Sequence, residues 1–160
     1  MRKDEHSVQL RKARMADAAA IQKLNEEVLG YACSLEDTRR QLACLLEMKQ
    51  HCIMVAVAEH RVVGYVHAQD YELLYSLPMK DILGIAVHPA FQQQGVGSSL
   101  LHSIERWARD TNACMVRLVS GEQRKQAHAF YERNGYVCEK RQMNFKKIYK
   151  KPSFSIRHIA

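Results

Sequence analysis

The 160-residue sequence predicts one α/β domain, with a mixed sheet of six to seven strands flanked by about four helices. Three observations predict it. Apolar, β-branched runs of strand length alternate along the chain with stretches of helical period. One such strand, 79–87, ends at a proline and opens through a glutamine- and glycine-rich loop into a helix-period pattern. The composition is 47% apolar, enough for a full core, yet no apolar run approaches the roughly 20 residues that would span a bilayer. Residues 1–150 read as the domain. Residues 151–160 have no pattern and are expected as a mobile tail or a contact in a homodimer.

The elements follow in order. Val8–Ala13 alternates apolar and polar residues as a first strand. Asp17 precedes a helix over 18–25 that Gly30 ends, and Ser34 with Asp37 forms a capping box for a second helix through Leu42, Leu45 and Leu46. Cys52–Ala58 and Arg61–Gln69 form a hairpin around Glu59 and His60, and the strand 79–87 follows. Val96, Leu100, Leu101, Ile104, Trp107 and Ala108 make one apolar helix stripe. Cys114–Val119 is a strand, a helix runs from Glu122 or Gln123 to Asn134 with Gly135 as its C-cap, and Tyr136–Cys138 and Gln142–Tyr149 are two final antiparallel strands.

The loop after strand 79–87 carries the strongest functional signal. A strand–loop–helix crossing aims consecutive backbone N–H groups at one point, with the positive end of the helix dipole behind them, which suits a phosphate or pyrophosphate. Gly95 and Gly97 let the main chain approach such an anion closely. The spacing is neither G-x-G-x-x-G nor a P-loop. Gln92-x-x-Gly95-x-Gly97 resembles the Q/R-x-x-G-x-G/A signature of the GNAT superfamily, the Gcn5-related N-acetyltransferases. Ala127–Tyr136, reading Ala-His-Ala-Phe-Tyr-Glu-Arg-Asn-Gly-Tyr, resembles that family's second signature, one strand and one helix downstream.

The resemblance implies a sheet split in a V between its fourth and fifth strands. It also implies acetyl-coenzyme A as cofactor, with its pantetheine arm along Ile85, Ala86 and Val87 and its pyrophosphate on Gln92, Gln93, Gln94, Gly95, Val96, Gly97 and Ser98. Tyr131 falls beside the sulfur, where a phenol can protonate the departing thiolate. Many relatives carry an asparagine seven residues before that tyrosine. Here the position is Arg124, which can still reach a phosphate. Asp81 aligns with the catalytic glutamate of the superfamily's histone acetyltransferases and is the candidate base, with Asp70, Glu72 and Glu26 or Glu27 as alternatives. Glu26, Glu27, Asp70, Tyr71 and Glu72, with Tyr31 and Tyr75, offer carboxylates and tyrosines to an acceptor, a pattern suited to a cationic amine. An aminoglycoside, a polyamine, a lysine-like amine and a peptide amine all satisfy it.

The remaining residues narrow the field. Five scattered cysteines without a C-x-x-C pair argue against a disulfide framework and a zinc site and point to a reducing cytoplasm. Cys114 and Cys138 sit in apolar strand patterns and read as buried, inert thiols; His67 and His88 read as a strand and a turn residue, and no metal is expected. The net charge of +7 is spread along the chain apart from Lys146–Lys147 and Lys150–Lys151, so neither nucleic acid nor membrane is expected as a main partner. The function expected is direct transfer of an acetyl group to an amine. A non-catalytic acyl-CoA-binding regulatory domain and a basic nucleic-acid-binding module remain alternatives.

Overall fold

The computed structural model describes residues 7–150; the expected tail, 151–160, lies outside them. Five strands form one sheet in the order β1 (Gln9–Lys12), β2 (His51–Ala58), β3 (Arg61–Tyr71), β4 (Met79–Val87) and β5 (Met115–Leu118). The first three neighbouring pairs are antiparallel and β4–β5 is parallel. Helix α1 (Ala18–Leu24) widens into a π-helical turn over Asn25–Leu29, which Gly30 closes at φ +77°. Helix α2 (Leu35–Leu46) starts where the Ser34 hydroxyl accepts the Asp37 N–H at 3.0 Å, as the capping box predicts. Helix α3 (Val96–Asp110) and helix α4 (Lys125–Arg133) complete the described elements.

Two apolar clusters hold the layers together. On one face of the sheet, Leu100, Leu101 and Ile104 of α3 pack fully buried on Val66, Ala68 and Ile82, and Tyr131 of α4 joins them. On the other, Ala18, Ile21 and Leu24 of α1 and Leu42 of α2 pack on Ile53, Val55, Tyr65 and Ala86. The α3 stripe read from the sequence is this contact. At the edge of the α3 side, the buried Lys80 ammonium pairs with Asp70 and lies 3.8 Å from the Trp107 ring centroid.

One irregularity matters for the site. His67 pairs with Gly84 but Ala68 pairs with Ile82, so Leu83 bulges out of β4. The extra residue breaks the alternation: Ile82, Ile85 and Val87 all pack toward the α3 side, while Ala86 faces α1 and α2.

The sheet has fewer strands than the six to seven expected. Residues 136–150 form no strand, and Val137, Met143, Phe145, Ile148 and Tyr149 are exposed. The alternation there resembles a strand, but a strand needs a ladder partner. Basic residues at 140, 141, 146, 147 and 150 break the apolar run, and β5 is only four residues long as a template. Cys114 and Cys138, expected as buried thiols, are exposed for a related reason: Cys114 lies just before β5, and Cys138 lies in the segment that forms no strand. Helix α4 begins at Lys125 rather than at Glu122 or Gln123, and Gly135, at φ +86°, ends it as expected.

Candidate active site

Parallel pairing between β4 and β5 runs only from Met79↔Met115 to Ile82↔Leu118. Beyond that pair the strands part, and residues 83–87 of β4 have no partner on that side among the described residues. The V expected from the family resemblance is therefore present. A cleft of about 190 Å³ occupies the gap. Gly84 and Ile85 of β4 line it, with Leu118 at the end of β5, Val119 just after it, Arg124 at the N-cap of α4 and Tyr131 within α4. Leu29, at the end of the π-helical turn, and Tyr31 close the side facing α1.

Tyr131 reaches the cleft because α4 lies against α3 through Phe130 and Tyr131. The side chain is 8% exposed, and its hydroxyl has no hydrogen-bond partner among the described residues. Burial pushes the phenol upward from its usual range, while the Arg124 guanidinium pulls it down. The group is thus a neutral phenol, able to donate a proton at physiological pH.

The loop before α3 is tied down by its own side chains. The Gln92 amide donates to the Val87 carbonyl at 2.8 Å, and the Gln94 amide donates to the Ala90 carbonyl at 2.8 Å. Both glutamines serve loop geometry, leaving the backbone amides to face a ligand. Gln93 and Gly95 have positive φ, +58° and +81°, which turns the chain into the helix. The first intrahelical bond at this end runs from the Ser99 N–H to the Gly95 carbonyl at 3.0 Å. The N–H groups of Val96, Gly97 and Ser98 precede it and have no helical acceptor. They lie at the positive end of a 15-residue helix. The two glycines differ. A Cβ on Gly95 would meet nothing within 4 Å, so its need is conformational. A Cβ on Gly97 would come 3.0 Å from Phe130 Cζ, so its absence lets α3 close on α4.

These features fit coenzyme A: a cradle of free amides for a pyrophosphate, and an unpaired β4 edge for an extended, amide-bearing arm. Ser120, between the cleft residues Val119 and Gly121, adds a buried hydroxyl with no hydrogen-bond partner.

The other anticipated residues scatter. Ala86 is buried in β4, its side chain turned to the α1 side. Asp81 lies one register step below the opening, opposite Arg117, whose Nε is 3.5 Å from its carboxylate. Burial raises the Asp81 carboxyl, and Arg117 and Gln69 partly offset that. Asp70 is on the α3 face with Lys80, away from the cleft. Tyr71 carries the Arg117 guanidinium over its ring at 4.6 Å. Glu26 accepts from the Gln22 amide at 3.2 Å, Glu27 pairs with Lys23 at 3.8 Å, and both are exposed, as is Glu72. The structure brings none of these five acceptor candidates into the cleft lining, though Tyr31 does line it.

Sequence reasoning missed Leu29, Leu83 and Val119, whose apolar side chains carry no chemical signature. It also missed the hydrogen bond from the Tyr65 hydroxyl to the Asn25 side chain, which fixes the π-helical turn beside Gly84. A glycine inside a strand is a known mark of close approach, and Gly84 was the available clue.

The comparisons with known proteins agree with this geometry. A family model described as an acetyltransferase (GNAT) domain matches residues 49–138. An aminoglycoside N(6')-acetyltransferase type 1 of Stenotrophomonas maltophilia is 29% identical over 142 residues, covering 86% of this chain and 91% of the relative. An aminoalkylphosphonate N-acetyltransferase of Salmonella typhimurium is 30% identical over 131 residues, covering 80% and 84%. Among solved structures, an aminoglycoside acetyltransferase from an uncultured soil metagenomic sample superposes with a TM-score of 0.79 at 23% identity, covering 92% of this chain and 100% of that one. An aminoglycoside N-acetyltransferase in complex with CoA gives 0.80 at 16% identity, covering 88% and 95%. A family match across more than half of the sequence, together with two N-acetyltransferases matched over 80% or more of both chains, leads to one conclusion: this chain belongs to the GNAT acetyltransferases and is an N-acetyltransferase.

Proposed function

We propose that the protein transfers the acetyl group of acetyl-CoA directly to the primary amine of a small molecule, with Tyr131 as the proton donor. The observation that carries this is the unpartnered Tyr131 hydroxyl in the cleft where β4 and β5 part. When bound, acetyl-CoA supplies an activated thioester. The backbone amides from Gln94 to Ser98, with the α3 dipole behind them, hold its pyrophosphate, and the free edge of β4 from Ile85 to Val87 aligns its arm. The amine enters on the side of Leu29 and Tyr31, attacks the carbonyl carbon, and the carbon–sulfur bond breaks. Tyr131 gives its proton to sulfur and regains one from solvent, while the proton shed by the amine leaves through water to the base.

Asp81 enters the same proposal as the base, acting through water across one register step. Burial lifts its carboxyl above the usual carboxylate range, which strengthens it as a base. The names of the two curated relatives support a small amine, an aminoglycoside or an aminoalkylphosphonate, over a peptide. The five cysteines, all free thiols, support a reducing cytoplasm as the site of action.

An amine panel that includes aminoglycosides, polyamines, aminoalkylphosphonates and a peptide, read by thiol release from acetyl-CoA, tests the reading. Turnover with at least one small amine is expected. Tyr131→Phe should lower that turnover by about 10²-fold or more, the usual scale of general acid catalysis, with acetyl-CoA affinity little changed. Asp81→Asn should lower it most at low pH, where the amine is mainly protonated. Turnover confined to the peptide would remove the small-molecule assignment, and unchanged turnover in Tyr131→Phe would remove the acid.

A further inference from the structure

Arg124 breaks a local rule. It sits at the N-cap of α4, where the helix dipole is positive and where Ser, Thr, Asp or Asn is preferred. Its side chain makes no capping bond, no acidic residue follows in the first turn, and Lys125 comes next. Among the described residues no carboxylate pairs with it: the neighbouring acid, Glu122, is taken by Arg141 at 3.0 Å. The structure therefore keeps an uncompensated cation at a position that costs helix stability. Violations of this kind collect at functional sites.

What the cation faces is the cleft. Arg124 and Tyr131 are seven residues apart, two turns along α4, and both line the same gap between β4 and β5. Arg124 is the only charged residue that does so among the described ones. The other groups around the Tyr131 ring are mostly silent. The residues that β4 and β5 present there are apolar or glycine, α3 presents Val96 and Leu100, and Tyr31 lies across the gap. Tyr136 follows α4 with its ring centroid 6.2 Å away, and its hydroxyl is turned to Glu105 of α3 at 3.2 Å.

Resting on the reading of Tyr131 as proton donor, we propose that Arg124 is a positioning residue for that step, its unpaired charge favouring release of the Tyr131 proton into the cleft. As the carbon–sulfur bond breaks, negative charge grows on sulfur and passes to the phenol oxygen when the proton moves. A guanidinium lining the same cleft as the phenol stabilises both states more than the neutral start. Its pull on the phenol opposes the effect of burial.

The test reads the phenol itself as well as the reaction. Full-length protein labelled with ¹³C at tyrosine Cζ is titrated by NMR, and Tyr131→Phe identifies the signal by its loss. Arg124→Gln should move the Tyr131 titration upward by on the order of one pH unit, and Arg124→Lys should restore much of it. With a fixed amine, Arg124→Gln should lower kcat by on the order of tenfold, while the KM for acetyl-CoA changes by less than about threefold. A Tyr131 titration unmoved in Arg124→Gln would overturn the proposal, as would a loss expressed wholly as a raised acetyl-CoA KM. Arg124 would then be a grip on the donor's phosphates. Absence of turnover in the unmutated protein with every amine would instead sink the reading of function, and the NMR titration would still report whether Arg124 acts on Tyr131.

Discussion

Gly97→Ala separates two uses of a glycine in the loop-to-helix motif. The added methyl would lie 3.0 Å from Phe130 Cζ and 3.1 Å from Cε2. Comfortable carbon–carbon contact is about 3.5–4.0 Å, so the ring must retreat by roughly half an ångström or more. Overpacking of this kind costs about 1–3 kcal/mol. Against it stands the helix propensity of alanine over glycine, worth up to about 1 kcal/mol. The net is a loss of about 0–2 kcal/mol, or a fall in Tm of up to about 8 °C for a domain of this size. Because Phe130 adjoins Tyr131, with ring centroids 5.3 Å apart, turnover should fall as well. The check is a double-mutant cycle with Phe130→Leu, read by thermal unfolding. The two substitutions should couple by at least about 0.5 kcal/mol, because the smaller side chain makes room for the methyl. Additive effects, or a Gly97→Ala protein as stable as the parent that has lost only acetyl-CoA affinity, would refute the packing argument. Gly97 would then be needed for close approach to phosphate.

The remaining expectations concern the ligand and pH. Acetyl-CoA at 100 times its Kd should stabilise the fold by about 2.7 kcal/mol. Gly95→Glu should abolish that shift by setting a carboxylate at the anion cradle, and a retained shift would mean the loop holds no phosphate. His67 is lowered to about 4 by burial and by the nearby His51, from 6.5, so the folded state holds it neutral. The unfolded chain binds the proton first, so stability should fall as pH drops from about 6.5 toward 4. His67→Gln should flatten that slope, and an unchanged slope would assign the acid sensitivity elsewhere. Asp17 is lowered despite burial, because the Arg11 guanidinium donates to it at 2.7 and 2.8 Å and the Arg14 N–H at 2.9 Å. Asp17→Asn should cost about 1–3 kcal/mol near neutrality and little below the carboxylate range, which denaturant titrations at two pH values would show.

The sequence disclosed the architecture wherever a local rule carried it. Ser34 with Asp37, the turn at Glu59–His60, the α3 stripe and the Gly135 cap each depend on a few adjacent residues, and each stands where the pattern puts it. The turn through the glycine loop and the place of Tyr131 in the cleft were legible because both motifs set fixed residue types at fixed spacing. The acceptor side was not. Carboxylates near the right strands looked like amine ligands, but Asp70 turns to Lys80 and the α3 face, and Glu27 turns back to Lys23. Which face a strand residue takes depends on register, and the Leu83 bulge cannot be read from composition. The last strands failed for the opposite reason: alternation at 142–149 is a local signal, but a strand exists only when another strand is there to bond it.

That bulge has a consequence for how β4 tolerates change. Leu83 itself is 47% exposed, so its side chain is replaceable. Its peptide unit is the splice. Without it Ile82 would run straight into Gly84, and Lys80, Ile82, Ile85 and Val87 would hold the α3 face in one unbroken alternation, with Ala86 still toward α1 and α2. What a deletion at 83 would remove is the local bend and added twist of β4, not the facing of its residues. The strand is in effect a regular ladder with one residue spliced in, and position 83 is where the chain can lose a residue without turning a core side chain to solvent.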